Sequence, residues 1–215
     1  LVNSYPIQAY ADPLLPNLTL VMEEDSRTGL SETAQRLQQR IDPANLEQTS
    51  TFVPLPEALN NIAEGTGADV VVMGTQGKSS NRLFGSNASS VIKRSLLPVI
   101  TVPAHWEPEP ITRILLPMDG EVVDEGTLLP LIDLAGRCGA EVAVAYVRTQ
   151  AAGSAKGLDH AFLDTALKGV KHSYVTVPGV AVVDAVDELA ADCRFQLVAM
   201  VHRKRGFLDG LFHIS

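Results

Sequence analysis

Positive charge, cysteine and long apolar runs are all scarce in this chain. Seventeen Lys and Arg stand against 25 Asp and Glu, a formal net charge of −8, so no basic surface is expected for nucleic acid or for an anionic membrane. The short cluster Arg203, Lys204, Arg205 does not reverse that balance and reads as a solvated turn. The two cysteines, Cys138 and Cys193, lie far apart in helix-like patterns with no CxxC partner. That excludes a disulfide framework and leaves two buried, reduced thiols as the expectation. No stretch approaches the roughly eighteen apolar residues of a membrane span. No signal-peptide pattern is visible either, so a cytoplasmic location is expected.

Side-chain catalysts are equally sparse. GxSxG, HExxH and a Cys–His pairing are all absent. Ser79, Ser80, Ser86, Ser89 and Ser90 have no recognisable base. His202 and His213, with Asp209 between them, fall short of the three or four converging ligands that zinc requires. His105, His160 and His172 show no evident partner. No catalytic residue and no metal ligand is assigned.

What the chain does have is apolar runs alternating with helical patterns. Strands are predicted at Val70–Met73, Val99–Val102, Ile114–Pro117, Glu141–Val147 and Gln196–Val201. They are nearly continuous apolar runs, as expected for parallel strands covered on both faces. Helices are predicted at Glu57–Gly65, Ser86–Leu97, Leu128–Cys138 and Val182–Asp192. The alternation argues for a doubly wound α/β fold.

The two halves also repeat. With Asp69 set against Gln196, Leu59 meets Val186, Ile62 meets Leu189, and "VVVM" (70–73) meets "LVAM" (197–200). Further on, "RLFGS" (82–86) is similar to "GLFHIS" (210–215), and "LVNSYP" at the start matches "VAVAYV" (142–147). A repeat of domain length points to tandem modules rather than a solenoid. Residues 1–103 form a first module that lacks a counterpart to "ITRILLPMDG" (111–120), hence its first strand and helix. Residues 104–110 form a proline-rich, extended linker. Residues 111–215 form a second module that lacks its last helix and strand.

The stretch "VVVMGTQGKSSNRLFGSNASSVI" (70–92) contains Gly-Lys-Ser at 77–79, yet a Walker loop would need glycine at position 72, where valine stands. The GxGxxG spacing fails as well. What remains is a strand, Gly74-x-x-Gly77, a polar loop, and Gly85-Ser86-Asn87 opening a helix. Gly74 and Gly77 would let the backbone turn sharply and approach a ligand. Ser86 and Asn87 lie at a helix N-terminus, where unpaired N–H groups attract an anion, and Ser86 is placed to cap that helix. A strand–turn–helix of this composition also stands without a ligand, so both readings are open from the residues alone.

"ADVVVMGTQG" (68–77) followed by "GSNASSVIKRSLLPVITVP" (85–103) resembles the universal stress protein family, whose G-x2-G-x9-G-[ST] motif binds ATP phosphates. The likeness extends more loosely over 111–215, where "ILLPMDG" resembles the family's opening strand. It implies two Rossmann-like modules of the adenine-nucleotide hydrolase-like kind and a stress-response nucleotide-binding protein. ATP with Mg2+ would lie at Met73, Gly74, Gly77, Gly85, Ser86 and Asn87. Lys78 would be a weaker contact, and Asp119 matches the aspartate set beside base and ribose. Only seven residues separate Gly77 from Gly85 where the family has nine. In the second module Val201, Lys204 and His213 replace the three glycines, so ATP is expected in the first module only, with φ > 0 made costly at Val201.

Two other readings follow. One is a stress protein that does not bind ATP and acts as a scaffold. The other is an ATP pyrophosphatase-like enzyme, which would want an SGGxDS-type loop that "PMDGEVVDEG" (117–126) does not supply. Any hydrolysis would rest on the backbone loop and a metal on the phosphates, and would be slow. In the family the final strand of each module pairs across a dimer interface. "PVITV" (98–102) matches it, so a homodimer through 99–102, or pairing of the two modules within one chain, is expected.

Overall fold

The computed structural model describes residues 1–5, 18–42, 45–75, 85–118, 120–149, 157–179, 186, 188, 189 and 195–202. The chain divides into two compact units, Leu1–Ala104 and His105–Ser215. Both are α/β, and every strand pairing among the described residues is parallel.

In the second unit β5 (Arg113–Met118), α4 (Glu125–Cys138), β6 (Glu141–Thr149), α5 (His160–Ala166), β7 (His172–Gly179) and β8 (Leu197–Val198) follow in order. The sheet runs β7-β6-β5-β8. The chain therefore builds outward on one side of β5 and returns to the other, as doubly wound sheets do. Ile114, Leu115 and Leu116 are at most 1% exposed, because β5 lies between β6 and β8 and is covered on both faces. Burial of such side chains stabilises by about 1.5–3 kcal/mol each. On one face Ile114, Leu116 and Met118 pack with Leu128 and Ala135 of α4 and with Leu163 and Leu167. On the other, Leu115, Ala143 and Ala145 pack with Val186 and Leu189. That contact falls within the predicted helix Val182–Asp192, most of which lies outside the described residues.

Local chemistry fixes these boundaries. The Asp124 carboxylate accepts from the Gly126 amide at 2.8 Å and opens α4, three residues before the predicted start. Pro130 thus sits inside the helix, not in its first turn. The helix stops at Gly139, whose φ of +64° is the left-handed C-terminal conformation that glycine adopts without strain. Cys138, expected to be buried, is exposed at the last residue of α4.

The first unit comprises β1 (Val2–Ser4), α1 (Leu18–Leu37), β2 (Thr49–Thr51), α2 (Leu55–Thr66), β3 (Val71–Gly74), α3 (Ser86–Arg94) and β4 (Val99–Val102). Its strands form two separate two-stranded sheets, β1-β2 and β3-β4. Helix α2 packs on both β1 and α3, and α3 packs on β4, so the helices join the two sheets. Helix α1 buries only Ser26, Leu30 and Ala34. The Ser26 hydroxyl is satisfied by Asn3 Nδ2 at 3.0 Å and Ser50 Oγ at 2.7 Å, as a buried hydroxyl requires. Helix α3 ends at Arg94, not Leu97, with Ser95 in extended backbone as its C-cap.

Candidate functional site

The predicted nucleotide residues that are described lie where β3 ends and α3 begins. Strand β3 hydrogen-bonds to β4 through Val71 and Thr75: the Val71 amide donates to the Pro98 carbonyl at 2.9 Å, and the Thr75 amide to the Val102 carbonyl at 3.0 Å. The Thr75 carbonyl then accepts from the Gly85 amide at 2.7 Å. This bond ties the strand end to the start of α3 and closes the loop between them. Met73 is half-buried, Thr75 and Gly85 are buried, and Gly74, Ser86 and Asn87 are exposed. The structure thus brings Met73, Gly74, Gly85, Ser86 and Asn87 to one end of the sheet. Gly77, Lys78 and Asp119 lie outside the described residues.

Gly85, not Ser86, is the N-cap of α3, and among the described residues no side chain caps the helix. The first intrahelical bond runs from the Ser89 amide to the Gly85 carbonyl at 3.0 Å. The amides of Ser86, Asn87 and Ala88 therefore have no acceptor within the helix. Such amides, with the helix dipole behind them, favour an anion.

The glycines act differently from the expectation. Gly85 has φ −64° and ψ 164°, a conformation open to any residue. Gly74 is not among the glycines with positive φ, so a turn does not require glycine there. A Cβ on Gly74 would meet only the Val102 carbonyl oxygen, at 4.0 Å. Neither conformation nor crowding by the described atoms demands glycine at position 74. Its repeat counterpart Val201 is half-buried and packs against the core of the second unit. The expected φ penalty at Val201 is accordingly not the relevant difference; valine occupies space with a side chain.

A second polar cluster, on α5 and β7, carries no signature in the residue pattern. His172 and Tyr174 alternate onto one face of β7, opposite Asp164 of α5. Tyr174 Oη donates to Asp164 Oδ1 at 2.6 Å, and His172 Nε2 lies 3.1 Å from the same oxygen. His172 Nδ1 lies 2.9 Å from the Val170 carbonyl, which can only accept, so Nδ1 carries a proton. Two acceptors around one imidazole raise its pKa, the Val170 carbonyl first and Asp164 after it. Hydrogen bonds from Tyr174 and His172 hold the Asp164 carboxyl low, while burial and then Asp164 push the Tyr174 phenol up. His160 meets the Tyr174 ring edge-on, 4.3 Å between centroids. His160 and His172, expected to be without partners, are both engaged. Among the described residues no group of three His, Cys, Asp or Glu is placed to hold a metal ion, and no helix is long and apolar enough to cross a membrane.

Residues 2–103 match the universal stress protein family. A stretch of 63 residues is 48% identical to Universal stress protein G of Shigella flexneri and of Escherichia coli O157:H7, and 40% identical to that of Salmonella typhimurium strain LT2. It covers 29% of this chain and 44% of each relative, so the chain matches less than half the length of these curated proteins. The crystal structure of a universal stress protein from Archaeoglobus fulgidus DSM 4304 superposes with a TM-score of 0.64, over 93% of this chain and 73% of that one, at 16% identity. At that identity the likeness speaks to the fold alone.

Proposed function

We propose that the first unit, whose residues 2–103 match the universal stress protein family, is a nucleotide-responsive module that binds ATP with Mg2+. The observation that carries this reading is the Gly85–Thr75 hydrogen bond, which brings Gly74, uncrowded by the described atoms, to the same end of the sheet as the Ser86 and Asn87 amides, which no described side chain caps. In this reading the phosphates lie against those amides and against the Gly74 backbone, and Met73 lines the approach. Gly77 and Lys78 would complete the cradle, and the Mg2+ ion would neutralise phosphate charge. The second unit, where Val201 fills the place of Gly74, does not bind ATP in this way.

Binding is the whole of the activity assigned. Among the described residues the chemistry near the cradle is backbone N–H and hydroxyl, which implies at most slow turnover of ATP. Isothermal titration calorimetry of the full chain with ATP and Mg2+ tests the reading. Saturable heat at one site per chain is expected; its absence removes the nucleotide function.

A scaffold role is a second reading, favoured by one observation. Among the described residues β4 pairs only with β3, so its outer edge offers unpaired backbone groups to another chain. A homodimer through Val99–Val102 would satisfy them. Light scattering on the eluting protein distinguishes a dimer from a monomer, and copurified nucleotide would argue against a role without ATP.

A further inference from the structure

We propose that Asn60 is a positioning residue for the nucleotide site: from α2 it grips the C-terminal end of α3 and thereby sets the direction in which the amides at the other end of that helix are presented. The consequence for binding rests on the ATP reading above; the hold on α3 does not.

Asn60 stands inside α2, where asparagine is a poor helix former because its side chain competes for backbone groups. Here that side chain crosses to α3. Asn60 Nδ2 donates to the Arg94 carbonyl at 3.1 Å, and the Leu96 amide donates to Asn60 Oδ1 at 3.0 Å. Arg94 is the last residue of α3, and the carbonyls of a last turn have no partner within their helix. The Asn60 amide thus takes one acceptor and one donor from the two sides of Ser95, as a neighbouring peptide group would.

The other end of α3 is tied by the bond from the Gly85 amide to the Thr75 carbonyl at 2.7 Å. Between the ends Ala88 and Val91 are buried, which fixes the face that α3 turns inward, while the tilt of so short a helix depends on its two ends. Its nine residues make a rod about 13 Å long, and a rotation of roughly 10° about its middle would carry the first amides by about 1 Å. A shift of that size takes an N–H from a good to a poor hydrogen-bond distance. Helix α2 is itself seated: Pro56 and Ala58 are buried, and it packs on β1. Asn60 therefore transfers the position of α2 to the amides of Ser86, Asn87 and Ala88.

Both Asn60 bonds lie at the surface, where water replaces a lost partner and the net contribution of a hydrogen bond to stability is small. What they supply is direction more than stability. This separates Asn60 from Ser26, whose buried hydroxyl also meets two partners, Asn3 and Ser50. Loss of that hydroxyl takes two bonds from the same unit, but from α1, β1 and β2 and not from α3.

Nuclear magnetic resonance of the full chain without ligand, and calorimetry with ATP and Mg2+, test the proposal on Asn60→Ala, with Ser26→Ala as the control. Asn60→Ala is expected to move the Gly85, Ser86 and Asn87 amide resonances, to speed hydrogen exchange at the Gly85 amide, and to weaken ATP affinity at least about tenfold. Ser26→Ala, at an equal or greater loss of melting temperature, should leave all three as in the parent. Unmoved amides in Asn60→Ala, or matching changes in Ser26→Ala, overturn the proposal. So does an ATP affinity of Asn60→Ala equal to the parent's. A parent that binds no ATP removes the nucleotide reading, and the hold of Asn60 on α3 is then upheld or overturned by the amide resonances. Asn60→Asp, which keeps the acceptor for Leu96 but not the donor to Arg94, carries the same test if Asn60→Ala does not fold.

Discussion

The Gly85 amide donates to the Thr75 carbonyl at 2.7 Å, which sets the first turn of α3 against the end of β3. The amides of Ser86, Asn87 and Ala88, which open the helix, have no acceptor within it, and the bond brings them to the end of the strand that carries Gly74. The candidate site is thus a property of backbone geometry, and its test is to alter space without altering backbone.

Gly74→Val makes that alteration, placing at 74 the residue that stands at 201. A Cβ at Gly74 meets only a carbonyl oxygen at 4.0 Å, and valine suits a strand better than glycine does. The melting temperature is expected to hold or rise. Affinity for ATP with Mg2+, read by calorimetry, is expected to fall at least about tenfold, a loss of about 1.4 kcal/mol. Unchanged affinity would show that the phosphates do not pass beside Gly74.

Much of the central sheet could be read from residue pattern. Val99–Val102 appears as predicted, and the predicted Ile114–Pro117 grows by one residue at each end to Arg113–Met118. Arg113–Met118 is covered on both faces and carries an almost unbroken apolar run for that reason. The strand β7 was not legible: "HSYVTVPG" mixes polar and apolar residues and, among the described residues, pairs only with β6. Helix α1 was missed because its buried stripe is only Ser26, Leu30 and Ala34, too narrow and too polar to stand out. At the candidate site the residue types were legible, but the role of glycine was not. Its conformational freedom is visible in a sequence, whereas a backbone of ordinary φ, uncrowded by the described atoms, is not.

The two faces of the second unit predict unequal responses to truncation. Leu116 is 1% exposed and lies among Leu128, Val144 and Leu163, so Leu116→Ala leaves a cavity. Destabilisation of about 2–5 kcal/mol is expected from urea denaturation. Leu129, on the same helix as Leu128 but 57% exposed, should change stability by no more than about 0.5 kcal/mol on the same substitution. Equal costs at both sites would contradict the packing described for α4.

Asp124 is the side chain that opens α4, accepting from the Gly126 amide at 2.8 Å. Asp124→Ala removes that acceptor and is expected to cost about 1 kcal/mol. Asp124→Asn keeps an acceptor oxygen and should recover most of the loss. Failure of asparagine to recover stability would mean that charge near the helix dipole, and not the capping bond, is what Asp124 supplies.

The pairing of His172 with Asp164 predicts a pH dependence whose sign follows from both partners. The imidazole is raised above 6.5, chiefly by the Val170 carbonyl and then by Asp164. Its stabilising contribution is therefore complete below 6.5 and is lost as pH rises through the raised value. The carboxyl is lowered below 3.8 by Tyr174 and His172. Its contribution is present above 3.8 and is lost as pH falls through the lowered value. The contact between α5 and β7 is accordingly strongest between the ordinary carboxylate and imidazole values. Asp164→Asn still accepts from Tyr174 Oη but no longer holds a proton on His172. Nuclear magnetic resonance of the His172 ring should show its midpoint falling in that variant, and denaturation of the variant should lose less stability than the parent as pH rises above the ordinary imidazole value. An unmoved midpoint would mean that the Val170 carbonyl alone holds the proton and that the ion pair adds nothing to the docking of α5.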